Sequence, residues 1–226
     1  MKPIAYIHSD FDEKFGIPRQ SGRCPSLTAK IVFAPEFRHP DALREIEGFS
    51  HLWLIFDFSK AHRDGFTPTV RPPRLGGNRR VGVFASRSPF RPNNIGLSSV
   101  RLLEVRKTED EGTVLIVSGA DLLSGTPIYD IKPYLPYTDC HPDARGGYAD
   151  EFENYRLEVD FPAELLKAIP KDKRAALTEC LSDDPRPSYQ DDDERVYSML
   201  FAGFDIKFKV CGKRLTVTDI QTKNAD

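Results

Sequence analysis

Cysteine is scarce and scattered. Cys24, Cys140, Cys180 and Cys211 form no Cys-x-x-Cys pair, so neither a disulfide framework nor a zinc cluster is expected and the thiols read as reduced. Long apolar runs are missing too. The longest, Leu52-Trp53-Leu54-Ile55-Phe56, falls far short of the roughly 20 residues that cross a bilayer. Met1-Lys2-Pro3 leads straight into strand-like sequence with no secretory apolar stretch, which predicts a cytoplasmic chain without membrane contact. No Gly-x-Gly-x-x-Gly follows a strand, and neither a P-loop nor a Gly-x-Ser-x-Gly elbow occurs. The histidines His8, His39, His51, His62 and His141 lack ligand spacing, so no metal is expected.

What is present is a chain of 226 residues, 39% hydrophobic and 29% charged, enough for one large domain with a smaller companion. Its net charge of −2 conceals a division. Residues 1–59 carry −1, residues 60–107 carry +9 and residues 108–226 carry −10. A block at +9, almost all arginine, inside a near-neutral protein calls for an anionic partner.

Short β-branched or aromatic runs bounded by Gly or Pro predict strands at Ile4–Ile7, Leu27–Phe33, His51–Phe58, Val81–Ala85, Leu97–Val105 and Val114–Val117. Asp41–Glu47 alone in this half has a helical apolar side. Further on, Leu157–Phe161 reads as a strand and Ala163–Ile169 and Lys173–Leu181 as helices. Val196–Ala202, Phe204–Val210 and Leu215–Ile220 read as a meander. The fold class is therefore mainly β: an N-terminal single-sheeted β-barrel over 1–140, a linker over 141–151 and a smaller α+β domain over 152–226.

Four segments look too particular for scaffolding. They are Phe15–Gln20, Val70–Gly77, Phe84–Leu97 and Gly119–Pro127, the last leading on through Asp130 to Tyr137. Pro68, Pro72, Pro73, Pro89 and Pro92 stiffen the loops and bias their neighbours toward extended backbone. Arginines on stiff loops form forks suited to phosphate or carboxylate. Phe84, Phe90, Tyr134 and Tyr137 offer faces on which a base can stack. The residues alone thus point to a nucleic-acid or nucleotide ligand and name no reaction. A non-catalytic RNA-binding barrel fits them as well as an enzyme does.

Taken together, Pro-Arg-Gln at 18–20, Phe-Ser-His-Leu-Trp at 49–53, Val-Arg-Pro-Pro-Arg-Leu-Gly-Gly at 70–77, Gly-Val-Phe-Ala-Ser-Arg-Ser-Pro-Phe-Arg-Pro-Asn at 82–93 and Gly-Thr-Pro-Ile-Tyr-Asp-Ile-Lys-Pro-Tyr-Leu-Pro-Tyr at 125–137 resemble the TsaA-like or TrmO family. Asp184-Pro185-Arg186-Pro187-Ser188-Tyr189 is similar to a short motif of its C-terminal domain. The resemblance implies an S-adenosylmethionine-dependent tRNA methyltransferase that works as a homodimer. Its implied reaction methylates the N6 nitrogen of N6-threonylcarbamoyl-adenosine at position 37, next to the anticodon of threonine tRNA. Carried over, the donor site comprises Pro18, Arg19, Gln20, Ser59, Lys60, Arg87, Leu97, Asp121, Leu122, Leu123 and Ser124. Arg19 and Arg87 are expected to hold the donor's carboxylate or to orient loops. Asp121, Asp130 and Tyr137, with Asp139 beside them, are the candidate catalytic groups that could take a proton. Arg71, Arg74, Arg79, Arg80, Arg91, Arg186 and Tyr189 are the expected RNA contacts. Ser59-Lys60, Asn94 and Ser124 depart from the usual residues of the family pattern.

Overall fold

Alternation along the central strand shows how the first half folds. In β3 (His51–Asp57), Leu52, Leu54 and Phe56 are buried while Trp53, Ile55 and Asp57 are not, the period of two that gives a sheet one inner face. A computed structural model describes residues 1–76, 79–187 and 192–223. In it β3 joins β1 (Ala5–His8), β2 (Thr28–Phe33), β6 (Ile95–Thr108), β7 (Gly112–Ser118) and β8 (Pro127–Pro133), while β4 (Thr69–Val70) and β5 (Val81–Gly82) form a separate two-stranded ribbon. The order is β1-β2-β7-β6-β3-β8, every pairing antiparallel, and β1 meets β8 through Ala5 opposite Ile128, closing the sheet. Closure leaves no strand edge open. Ala5, Ile7, Ile31, Leu52, Leu54, Phe56, Val100, Leu115, Val117 and Ile128 fill the interior.

One end of that interior is closed by an aromatic ring. A Cβ at Gly96 would lie 2.2 Å from the Phe56 ring, and Gly96 is the direct partner of Phe56 across β3 and β6. Gly96→Ala is therefore expected to destabilise the protein by about 1–3 kcal/mol, the usual cost of overpacking. A denaturant titration checks it; an unchanged midpoint would contradict the packing described.

The second half builds a four-stranded sheet, β10-β11-β12-β9, from β9 (Glu158–Asp160), β10 (Tyr197–Phe201), β11 (Phe204–Cys211) and β12 (Arg214–Thr222). After the short α1 (Pro136–Asp139), the helices are α2 (Ala163–Lys167) and α3 (Arg174–Ser182). Leu177, Cys180 and Leu181 of α3 share a core with Met199, Phe201, Phe208, Val210 and Leu215. That core also takes Phe11, Cys24 and Leu27 from the segment between β1 and β2. Phe11 meets Phe201 edge-on at 5.4 Å. Gly16, at φ +95°, approaches Met199 so closely that a Cβ would sit 2.3 Å from its sulfur. The N-terminal segment thus belongs to both cores.

Several elements differ from the sequence expectation. Val81–Ala85 is a strand only over Val81–Gly82, and Val83–Ala85 is a 3₁₀ turn. Asp41–Glu47 is not one helix but two single 3₁₀ turns, Pro40–Leu43 and Ile46–Gly48, separated by Glu45 at φ 69°, a left-handed residue that no helix tolerates in its interior. β8 was missing from the expected strands because prolines bound it and Asp130 and Lys132 break its apolar run. Among the described residues, no helix is long and apolar enough to cross a membrane.

Candidate functional site

A cavity of about 540 Å³ opens where the end of β3 and the start of β6 lie side by side, Asp57 opposite Ile95 and Phe56 opposite Gly96. Four loops complete it: 17–20, 58–61, 86–91 and 121–123. The basic loop is held by its own side chains. Arg91 Nη1 donates to the carbonyls of Val83 (3.1 Å) and Ser86 (2.6 Å), Ser86 Oγ donates to Val83 (2.8 Å), and Asn94 Nδ2 donates to Pro89 (2.7 Å). The departure at Asn94 is thus an internal brace. The loop after β7 is pinned likewise: the Ser124 amide donates to Phe11 (2.8 Å), that of Gly125 to Ile7 (2.7 Å), and Ser9 Oγ to the Leu122 carbonyl (2.8 Å).

Asp121 forms part of the floor. Ser98 Oγ donates to its carboxylate at 2.5 Å. Burial pushes the Asp121 carboxyl above its ordinary value, against the pull of the Ser98 bond, nearby amides and the Arg87 charge. At the rim, Arg87 Nη1 donates to Gln20 Oε1 at 2.7 Å, tying two sequence-distant loops together. Lys14 Nζ donates to the Lys60 carbonyl at 2.5 Å, and both lysines line the cavity. The arrangement sets a half-buried carboxylate below a cationic rim, with apolar walls from Ile17, Leu97 and Leu122.

Pro18, Arg19, Gln20, Ser59, Lys60, Arg87, Leu97, Asp121, Leu122 and Leu123 all line this cavity. Ser124 does not, its amide being turned to Phe11. Of the candidate proton acceptors, only Asp121 lines it. Asp130 faces outward on β8 and pairs with Lys132 at 2.9 Å; Tyr137 in α1 is 88% exposed and away from the cavity. Asp139 accepts from the Leu135 amide (2.9 Å) and Trp53 Nε1 (2.8 Å), bonds that lower its carboxyl below the ordinary value. Sequence reasoning missed Lys14, Asp57 and Ser98. For Ser98 the available signal was a hydroxyl on the inward face of an otherwise apolar strand.

The arginines divide sharply. Arg71, Arg79 and Arg80 are exposed, Arg80 touching Thr69 Oγ1 at 3.3 Å. Arg74, Arg91 and Arg186, expected to face RNA, are engaged inside the protein. Arg74 lies over the Tyr155 ring at 4.8 Å and donates to the Asp183 carbonyl; Arg91 staples its own loop; Arg186 is buried against Asp184 at 3.0 Å. The physical reason is the same in each case: a guanidinium beside buried acceptors satisfies those acceptors first. Arg19 is likewise turned to the C-terminal half, Nη2 donating to the carbonyls of Pro185 and Arg186 at 3.1 Å each. Tyr189 lies outside the described residues.

Residues 6–140 match the tRNA-methyltransferase O N-terminal domain, and residues 154–223 match the TrmO C-terminal domain. The chain belongs to the TrmO family. A relative from Escherichia coli (strain K12), named tRNA (adenine(37)-N6)-methyltransferase, is 41% identical over 215 residues, covering 92% of this chain and 91% of its own. One from Eikenella corrodens with the same name is 48% identical, covering 72% of this chain and 91% of its own. A crystal structure of TrmO from Pseudomonas aeruginosa superposes with a TM-score of 0.75 at 33% identity, covering 97% of each chain.

Proposed function

We propose that this chain is a methyltransferase that uses S-adenosylmethionine to methylate the N6 nitrogen of N6-threonylcarbamoyl-adenosine at position 37 of threonine tRNA. What carries this reading is the gathering, in one cavity, of a half-buried carboxylate, a cationic rim and apolar walls, in a chain two of whose relatives are named tRNA (adenine(37)-N6)-methyltransferase. The residues fit the donor chemically. A cavity of about 540 Å³ lies within the range that encloses small molecules. Ile17, Leu97 and Leu122 suit a purine face, Lys60 and Arg87 suit a carboxylate, and Asp121 suits a cation.

Once bound, the donor supplies a methyl group already activated by its sulfonium, so this chain's part is alignment and exclusion of water. The pinned loops at 17–20, 86–91 and 121–123 supply the alignment. In the acceptor, N6 lies between a purine ring and a carbamoyl carbonyl, which delocalises its lone pair. Removing its proton assists attack, and Asp121 is the group placed to accept it. Asp130 and Tyr137, outside the cavity of their own chain, reach the reaction only from the second protomer of a homodimer.

Residues 1–140 are assigned donor binding and residues 152–226 a tRNA contact, joined by the linker 141–151. Next to the cavity, Phe84 is 73% exposed and stacked on Phe66 at 6.2 Å, and Arg63 lies over Phe90 at 3.8 Å. Such aromatic and guanidinium faces suit the unstacked bases of an anticodon loop. Replacing Arg71, Arg79 and Arg80 together by Gln is expected to flatten the salt dependence of tRNA binding by about 0.7 log units per lost phosphate contact. A slope equal to the parent's would place the RNA elsewhere. A calorimetric titration with S-adenosylmethionine separates the enzyme from an RNA-binding module of the same shape. Saturable binding is expected, and RNA affinity without donor binding would overturn the assignment.

A further inference from the structure

Asp183, at the C-terminal end of α3, is 2% exposed, yet it touches three separate stretches of chain. Its Oδ1 accepts from Arg23 Nε at 2.7 Å and from Arg156 Nη1, with Arg74 Nη2 at 3.7 Å. Its Oδ2 accepts the backbone N–H of Arg19 at 3.3 Å. The residues that follow hold the side chain of the same arginine, through the carbonyls of Pro185 and Arg186. Asp184 in turn fixes that turn by accepting from Arg186 Nε (3.0 Å) and Tyr155 Oη (2.9 Å).

The segment held in this way is the wall of the cavity. Among the described residues, the backbone of 17–20 makes no hydrogen bond to another backbone. Among what holds it are the packing of Ile17, the Gln20–Arg87 bond, the Ser21 amide on Asp121 and the grip on Arg19 from 183–186. Arg23 and Arg74 have side chains only 19% and 18% exposed. Without the Asp183 carboxylate they would face one another largely out of water, a costly arrangement that the loops would relieve by moving apart.

Resting on the function proposed above, we propose that Asp183 is a positioning residue for the methyl-donor site. It fixes the 17–20 wall through Arg19, so that the C-terminal unit sets donor affinity as well as meeting RNA. The test is the full chain carrying Asp183→Asn, with Arg156→Gln as a milder second variant: the Arg156 side chain is 39% exposed, and its loss removes one cation from Asp183 and the bond from Arg156 Nη2 to the Arg23 carbonyl at 2.9 Å while the Arg23 and Arg74 side chains keep the carboxylate. Asp183→Asn is expected to raise the donor KM and dissociation constant about tenfold, the weight of one charged hydrogen bond. The kcat at saturating donor and the KM for tRNA stay near the parent's. Arg156→Gln shifts the donor KM in the same direction and by less. A merely structural loss would lower kcat through a smaller active fraction and leave the donor KM unmoved, and that result overturns the proposal.

If Asp183→Asn does not fold, Arg156→Gln decides by the same split. Amide hydrogen exchange gives a readout independent of activity. Faster exchange at residues 15–21, the Arg19 amide above all, with β3 and β7 unchanged, supports the proposal, whereas unchanged exchange at 15–21 in the variants sinks it. A parent protein that binds no donor overturns the function instead, while the exchange result still judges the grip on the loop.

Discussion

Asp121→Asn is expected to lower kcat by about two to four orders of magnitude, the usual contribution of a positioned proton acceptor, while the protein stays folded. The amide is the same size as the carboxylate, and its oxygen can still accept from Ser98 Oγ, so the floor of the cavity keeps its shape. What disappears is the ability to take a proton. Burial holds the Asp121 carboxyl above its ordinary value. In the parent, kcat/KM therefore rises with pH as this group loses its proton, over a range above that of an exposed aspartate. The Asn variant should lack that rise. A pH–rate profile of both proteins, with a thermal melt as control for folding, measures it. Turnover equal to the parent's would remove Asp121 from the proton transfer and leave it a donor contact only.

Arg87→Ala should weaken donor binding by about one to two orders of magnitude, since a hydrogen-bonded charged contact contributes ~1.5–3 kcal/mol. It should barely change the melting temperature. Arg87 is exposed, its side chain donates to Gln20 Oε1 at 2.7 Å, and the loop around it is braced by Ser86, Arg91 and Asn94 instead. Surface positions of that kind contribute little to stability. Arg87→Lys should recover part of the affinity, because an ammonium keeps the charge and loses the planar fork. Calorimetry on the three proteins checks the order parent, Lys, Ala. Equal affinities would mean that the donor's carboxylate is held elsewhere on the rim, by Lys14 or Lys60.

Much of the barrel was legible because its strands alternate. Leu52, Leu54 and Phe56 announce an inner face, and Ile7, Ile31 and Val117 fall on inward positions of strands read from composition alone. The cavity was legible as blocks of Pro, Arg and Gly whose union carried the resemblance, though no single block did. The partners of the arginines were not. Arg19 and Asp183 are 164 positions apart in the chain, and Arg74 and Asp183 are 109 apart. Regional charge cannot tell a guanidinium that meets a buried carboxylate from one that meets solvent, so Arg71 and Arg74 read alike. β8 was obscured by its own particularity. Prolines and charges made Pro127–Pro133 look like a functional loop, whereas its pairing with β3 and β1 is what closes the sheet.

The most direct test of the whole account is methyl transfer to threonine tRNA prepared with and without the threonylcarbamoyl group, followed by nucleoside mass spectrometry. One methyl on the N6 nitrogen of the threonylcarbamoyl-adenosine at position 37, and none on the unmodified tRNA, is the result predicted. Donor binding with no methyl on the modified tRNA, or equal methylation of both, would contradict it.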